Sequence, residues 1–160
     1  MASTLLWNAR PAAEALIAAD GVLKNLAAAA VAKCAADVAN GTDLYTHADF
    51  LLYVHDFAAA PAAGGYFALY IIYEFGTSSE KYGDGEDGDV ANVIAGGLSG
   101  NQFVGSFPVN ASDEDQYIQL CGVPIGPHDF RVVIVNKTSQ AIPNTDGSTL
   151  AIYRYCYEAQ

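Results

Sequence analysis

Few side chains in this 160-residue chain have the type and spacing to do chemistry. The histidines are His47, His55 and His128, and none stands in an H-x-x-H or H-E-x-x-H context that would set two metal ligands on one helix face. On one extended strand His47 and His55 would share a face but lie roughly 26 Å apart, at about 3.3 Å per residue, too far to hold one ion. Asp49 near His47 and Asp56 beside His55 are placed to orient an imidazole, yet no G-x-S-x-G elbow supplies a nucleophile. Asp84, Glu86, Asp87 and Asp89 offer hard oxygen ligands with glycines between them, the composition of a calcium loop. No acid follows where a calcium loop places its bidentate glutamate, so residues 76–89 are read as an exposed, solvated loop. Within it, Gly83, Gly85 and Gly88 match the letters of G-x-G-x-x-G, but the acids among them would repel a pyrophosphate. The expectation is a protein with no catalytic residues, no cofactor and no metal, and so not an enzyme.

Two other sets bear on binding. Tyr153, Tyr155 and Tyr157 alternate, which on a strand puts three phenols on one face, able to stack sugars or pack a partner, with Ile152 and Cys156 turned toward a core. Trp7 is the single tryptophan. It stands in a segment broken by Pro11, and Trp gains more than most side chains from a pocket in a partner. Leu5, Leu6, Trp7 and Arg10 are therefore the expected partner-docking residues of an N-terminal arm.

The elements that must carry these groups read as strands. Residues 103–109, 116–123, 130–135 and 149–157 are short apolar-alternating runs separated by clusters of Gly, Pro, Asn and Asp, the pattern of an antiparallel β-sandwich. Residues 44–57 and 66–75 are dense in aromatic and β-branched side chains, and the second run has the both-faced apolarity of a central strand. Residues 58–65, with Pro61, Gly64 and Gly65, form the loop between them. Residues 21–40 conflict with this picture, because Val22, Leu23, Leu26, Ala30, Val31 and Cys34 fit a helical face with Gly41 as its stop.

Charge narrows the partners. Seven basic against eighteen acidic residues give a formal charge of −11, which removes the phosphate neutralisation that nucleic-acid binding needs and disfavours an acidic membrane. A basic protein surface is the complementary partner. The first ten residues lack a basic stretch followed by an apolar core, and no run reaches the roughly 18 apolar residues of a membrane span, so a soluble chain made in the cytosol is expected. Cys34, Cys121 and Cys156 are an odd set without C-x-x-C spacing, read as reduced and buried. The sequons at Asn110 and Asn136 are then idle.

Taken in order, Thr4-Leu5-Leu6-Trp7, Asn40-Gly41-Thr42-Asp43-Leu44-Tyr45, residues 49–57, Ala60-Pro61-Ala62-Ala63-Gly64-Gly65, Gly105-Ser106-Phe107-Pro108-Val109, Gly122-Val123-Pro124-Ile125-Gly126-Pro127, residues 130–143 and the close at 150–160 resemble a family of small virion proteins of tailed bacteriophages and prophages. The resemblance implies a jelly-roll-like sandwich, residues 31–160, behind an extended arm, residues 1–30. It implies a capsid decoration or cement protein, or a head or tail accessory protein, usually trimeric. Its partners would be the major capsid protein or other virion proteins, and its place the virion, assembled in the host cytoplasm. It carries over no catalytic residue, and it favours extended structure from about Val31 onward over the helix. The alternative is a tail or head-fibre module that binds a receptor or glycan through the tyrosine stripe or the acidic loop.

Overall fold

In residues 47–54, His-Ala-Asp-Phe-Leu-Leu-Tyr-Val, every second side chain (Ala48, Phe50, Leu52, Val54) is small-apolar or large-apolar, and all four are buried on one face of a strand. The same period organises the rest of the chain. The computed structural model describes residues 5–7, 14–17, 21, 23–34, 37–74, 103–144 and 147–159. Among these residues the elements are all strands: β1 Leu5–Trp7, β2 Glu14–Ile17, β3 Val31–Lys33, β4 His47–Val54, β5 Tyr66–Tyr73, β6 Phe103–Pro108, β7 Gln116–Pro124, β8 Phe130–Asn136, β9 Thr149–Tyr155 and β10 Tyr157–Ala159.

The pairing follows one rule. Each strand of the outgoing half lies antiparallel to its mirror image on the return: β1 with β10, β2 with β9, β3 with β8, β4 with β7 and β5 with β6. The chain is thus one long two-stranded ribbon. Two more antiparallel pairings, β4 with β9 and β5 with β8, roll that ribbon onto itself. The product is two four-stranded sheets, ordered β2-β9-β4-β7 and β3-β8-β5-β6, with β1 and β10 as a separate two-stranded sheet. This is the double-sheet jelly roll.

Inward-facing side chains of both sheets meet in one core. Phe50 and Leu52 from the first sheet pack with Phe67, Leu69, Phe130 and Ile134 from the second. The second sheet is apolar on its outer side too, where Ile72 and Val133 form a smaller buried cluster with Val31 and Tyr70. The β4–β7 ladder slips between Ala48 and Phe50, where Gly122 takes a φ of 70° and its N–H donates to Asp49 Oδ1 at 2.8 Å. Such a bulge bends the strand and requires a residue that tolerates the left-handed region.

The described residues of 21–40 do not form the helix that propensity favours. Leu23 and Leu26 are buried, but they are delivered by consecutive tight turns with Asn25 at φ 61° and Ala29 at φ 63°, values no α-helix contains. Within this stretch the strand structure is β3, which starts at Val31, and Val38 makes an isolated bridge to Phe130. Residues 14–17, read from the sequence as arm, pair with β9 inside the first sheet, so the sandwich reaches back before residue 31.

Two buried amides hold the loops. Asn136 Nδ2 donates to the carbonyls of Leu26 and Gln140, and its Oδ1 accepts from Thr138 N–H and Oγ1. Asn40 donates to the carbonyls of Tyr45 and Gly126 and accepts from Tyr45 N–H. Both satisfy main-chain groups that no ladder reaches.

Candidate functional site

The side chains with the most chemistry gather at one end of the first sheet. Tyr53, near the end of β4, faces outward, and the register sets it directly opposite Tyr117 of β7. Their rings stack with centroids 4.5 Å apart and planes 21° apart. One face of Tyr117 is therefore covered by Tyr53, while the residue as a whole is 70% exposed.

Beside this pair lies Asp115. Its position is set by the preceding turn, which buried Gln116 ties together: Gln116 Oε1 accepts from Asn110 N–H, and Nε2 donates to the carbonyls of Asn110 and Ser112. Asp115 Oδ2 accepts from the Tyr53 phenol at 2.8 Å. Its Oδ1 accepts from Asp56 N–H at 3.1 Å and lies 2.9 Å from His55 Nδ1. Asp56 has a φ of 38°, and that turn aims its N–H at the carboxylate. His55 is held from behind. Its N–H donates to Ser148 Oγ at 3.0 Å, and Gly147, at φ 143°, has no room for a Cβ, which would fall 2.9 Å from the His55 Cβ.

The electrostatics follow from these contacts. The Tyr53 hydrogen bond, joined by Asp56 N–H and His55, holds the Asp115 carboxyl below the usual carboxylate range against a smaller opposing effect of desolvation. The same hydrogen bond, with some desolvation and the negative charge of Asp115, pushes the Tyr53 phenol well above its ordinary value. An ionised carboxylate only accepts, so the His55 Nδ1 that faces it carries a proton and donates to it. The site is thus a flat aromatic ring flanked by a fixed carboxylate and a fixed imidazole.

The residues singled out from the sequence lie elsewhere. Leu5, Leu6 and Trp7 make up β1, opposite Ala159, Glu158 and Tyr157 of β10. Arg10 and the loop acids Asp84, Glu86, Asp87 and Asp89 lie outside the described residues. The expected tyrosine stripe is interrupted: Tyr153 and Tyr155 are in β9, Ile152 faces the core as expected, but β9 stops at Tyr155 and Cys156 sits half-buried between β9 and β10. His47 stacks on Tyr155, whose phenol donates to Asp49. The carboxylate that orients His55 is Asp115, not its neighbour Asp56. Of the thiols, Cys34 is buried, whereas Cys121 is exposed because it follows the outward parity of β7 at the bulge. Among the described residues no group of three His, Cys, Asp or Glu is placed to hold a metal ion.

The sequence carried a faint signal for this cluster: Tyr53-x-His55 and Asp115-x-Tyr117 are both i, i+2 pairs, a spacing that extended chain sets on one side. What it lacked was the register that sets one pair across from the other. No family model, no curated protein and no solved structure matches this chain.

Proposed function

We propose that the chain is a non-enzymatic virion structural protein of a tailed bacteriophage, a decoration protein that cements the shell lattice, working as a trimer. The jelly roll is compatible with this reading, but capsid, lectin and cupin domains share that architecture, so the fold is analogy only. The observation that carries the proposal is the β1·β10 ribbon. It continues the rolled ribbon of the sandwich yet belongs to neither four-stranded sheet, and it holds Leu5, Leu6 and Trp7. A two-stranded ribbon is marginally stable in water, so it has the most to gain from a further element supplied by a partner. With a formal charge of −11, that partner is a basic face of the major capsid protein. A lattice repeats its sites, so modest affinity at each copy suffices when several copies of the ribbon engage together.

The experiment is deletion of residues 1–10, which spares β2, followed by binding to shells that lack the protein. Loss of shell binding with an unchanged unfolding transition is expected, and retained binding overturns the docking role. Counting copies per purified particle against the major shell protein separates lattice from appendage. Hundreds of copies are expected; a handful would move the chain to the tail or a head fibre.

A further inference from the structure

We propose that the outer edge of β7 is a docking site for an extended segment of a partner polypeptide, apolar at alternate positions and ending in lysine or arginine, which joins the first sheet as a fifth strand. This inference is independent of the virion reading, since it concerns the isolated protein and a strand remote in sequence from β1.

Three observations converge on it. The first is a difference between the edges of the sandwich. The edges β2 and β3 are four and three residues long and carry Glu14 and Lys33, and short charged strands are how natural sheets keep an edge from pairing. The edges β6 and β7, brought together where Gly105 lies against Leu120, are six and nine residues long, and neither contains a charged residue. Among the described residues β7 pairs only with β4, so the main-chain groups of its other edge are turned away from the sheet. A long uncharged edge of this kind is a template for another chain.

The second is the state of the core beside that edge. Ile118 and Leu120 stand opposite buried Leu52 and Phe50 and pack against the core, yet both are only partly buried, as is Val104 of β6. A strand added to β7 alternates its side chains in step with it. Its inward apolar residues would cover Ile118 and Leu120, and its outward ones would lie beside Tyr117, Gln119 and Cys121, all exposed. Tyr117 is the most exposed of these large side chains, and the Tyr53 ring stacked on it holds its plane, so it offers contact area at little cost in side-chain freedom.

The third is charge, which selects the occupant. Asp113, Glu114 and Asp115 are exposed and lead directly into β7. With the formal charge of −11 behind them they work against an acidic segment and against a second copy of this chain, and they favour a segment that ends in lysine or arginine. Every pairing among the described strands is antiparallel. An antiparallel newcomer brings its C-terminal end to these acids, so the basic residues belong at that end. Strand addition draws affinity from main-chain hydrogen bonds and specificity from alternate side chains, which is what this edge and the half-covered Ile118 and Leu120 provide.

The test is an NMR titration of the labelled full-length protein with a capped peptide of alternating threonine and valine, matched in length to β7 and ending in two lysines, to about 5 mM, for a Kd on the order of 1 mM. Shifts centred on residues 113–124 are expected, with slowed exchange of the β7 amides that do not face β4. The same peptide with its central valines replaced by proline, which has no N–H to donate, should not bind. Replacing its lysines by glutamate should weaken binding about tenfold. The double variant Asp113→Asn, Glu114→Gln should bind the lysine peptide several-fold more weakly and with less dependence on salt, while its unfolding temperature shows that the fold is kept. No shift along β7 with the lysine peptide overturns the proposal, as does equal binding of the proline or glutamate peptide. Concentration-dependent shifts of β7 without peptide overturn it too, because they assign the edge to a second copy of the chain.

Discussion

The phenol of Tyr53 donates to Asp115 Oδ2 at 2.8 Å across the β4–β7 pair, and each group shifts the ionisation of the other. The folded Asp115 carboxyl titrates below its unfolded value of about 4, so its contribution to stability is complete above that pH and is lost as pH falls through the folded value. The folded Tyr53 phenol titrates above its unfolded value of about 10, so its contribution is complete below that pH and is lost as pH rises through the folded value. Unfolding temperature measured against pH should show both limbs. Asp115→Asn should flatten the acid limb and bring the Tyr53 ring-carbon titration in labelled protein back toward about 10. An unmoved Tyr53 titration in that variant would show that the two groups do not act on each other.

Gly105 of β6 lies against Leu120 of β7 on the other sheet: a Cβ on residue 105 would fall 2.5 Å from Leu120 Cδ2. Gly105→Ala should therefore destabilise by about 1–2 kcal/mol, at the lower end of the overpacking range because the clash is with the tip of a side chain. In a double-mutant cycle with Leu120→Val the two costs should be less than additive, and additivity would mean that the sheets accommodate the methyl elsewhere.

Asn136 is fully buried and ties together two stretches of chain, one at Leu26 and one at residues 138–140. Asn136→Ala should cost about 1–3 kcal/mol for each buried group left without a partner, and the denaturation midpoint should fall with an unchanged m-value. A shift no larger than that of a surface substitution would show that the loops at residues 26 and 140 are not held by this amide.

The three thiols should react in order. Cys121 is exposed and should be modified first by a thiol reagent, with Cys156 slower. Burial pushes the Cys34 thiol up to about 12, so it should react only on unfolding. Peptide mapping after timed labelling reads the order, and early modification of Cys34 would contradict its packing.

Most of the sandwich was legible in the sequence because alternation reports which face is buried. The runs at 103–109, 116–123 and 130–135 correspond closely to β6, β7 and β8, and 66–75 to β5, which is paired on both sides as a central strand must be. Residues 21–40 misled because buried Leu23 and Leu26 reach the core from turns and Cys34 from the end of β3, and a list of apolar positions does not register the positive φ of Asn25 and Ala29. The cluster of Tyr53, His55, Asp115 and Tyr117 was hard to read for a different reason. His55 and Asp115 meet only through the β4–β7 register, a tertiary property, and the nearer Asp56 offered a false partner.

The mirror pairing of the strands has a kinetic consequence. In the rolled ribbon Ile17 must find Leu150, and among the described residues even the nearest-in-sequence pair of the two halves joins Tyr70 to Phe103. Loop closure has to be met before such contacts give anything back, so folding is expected on the order of milliseconds to seconds. During synthesis every strand from β1 to β5 emerges before its return partner exists. The nascent first half, with Phe50, Leu52, Phe67 and Leu69 uncovered, is the species on which chaperones would act.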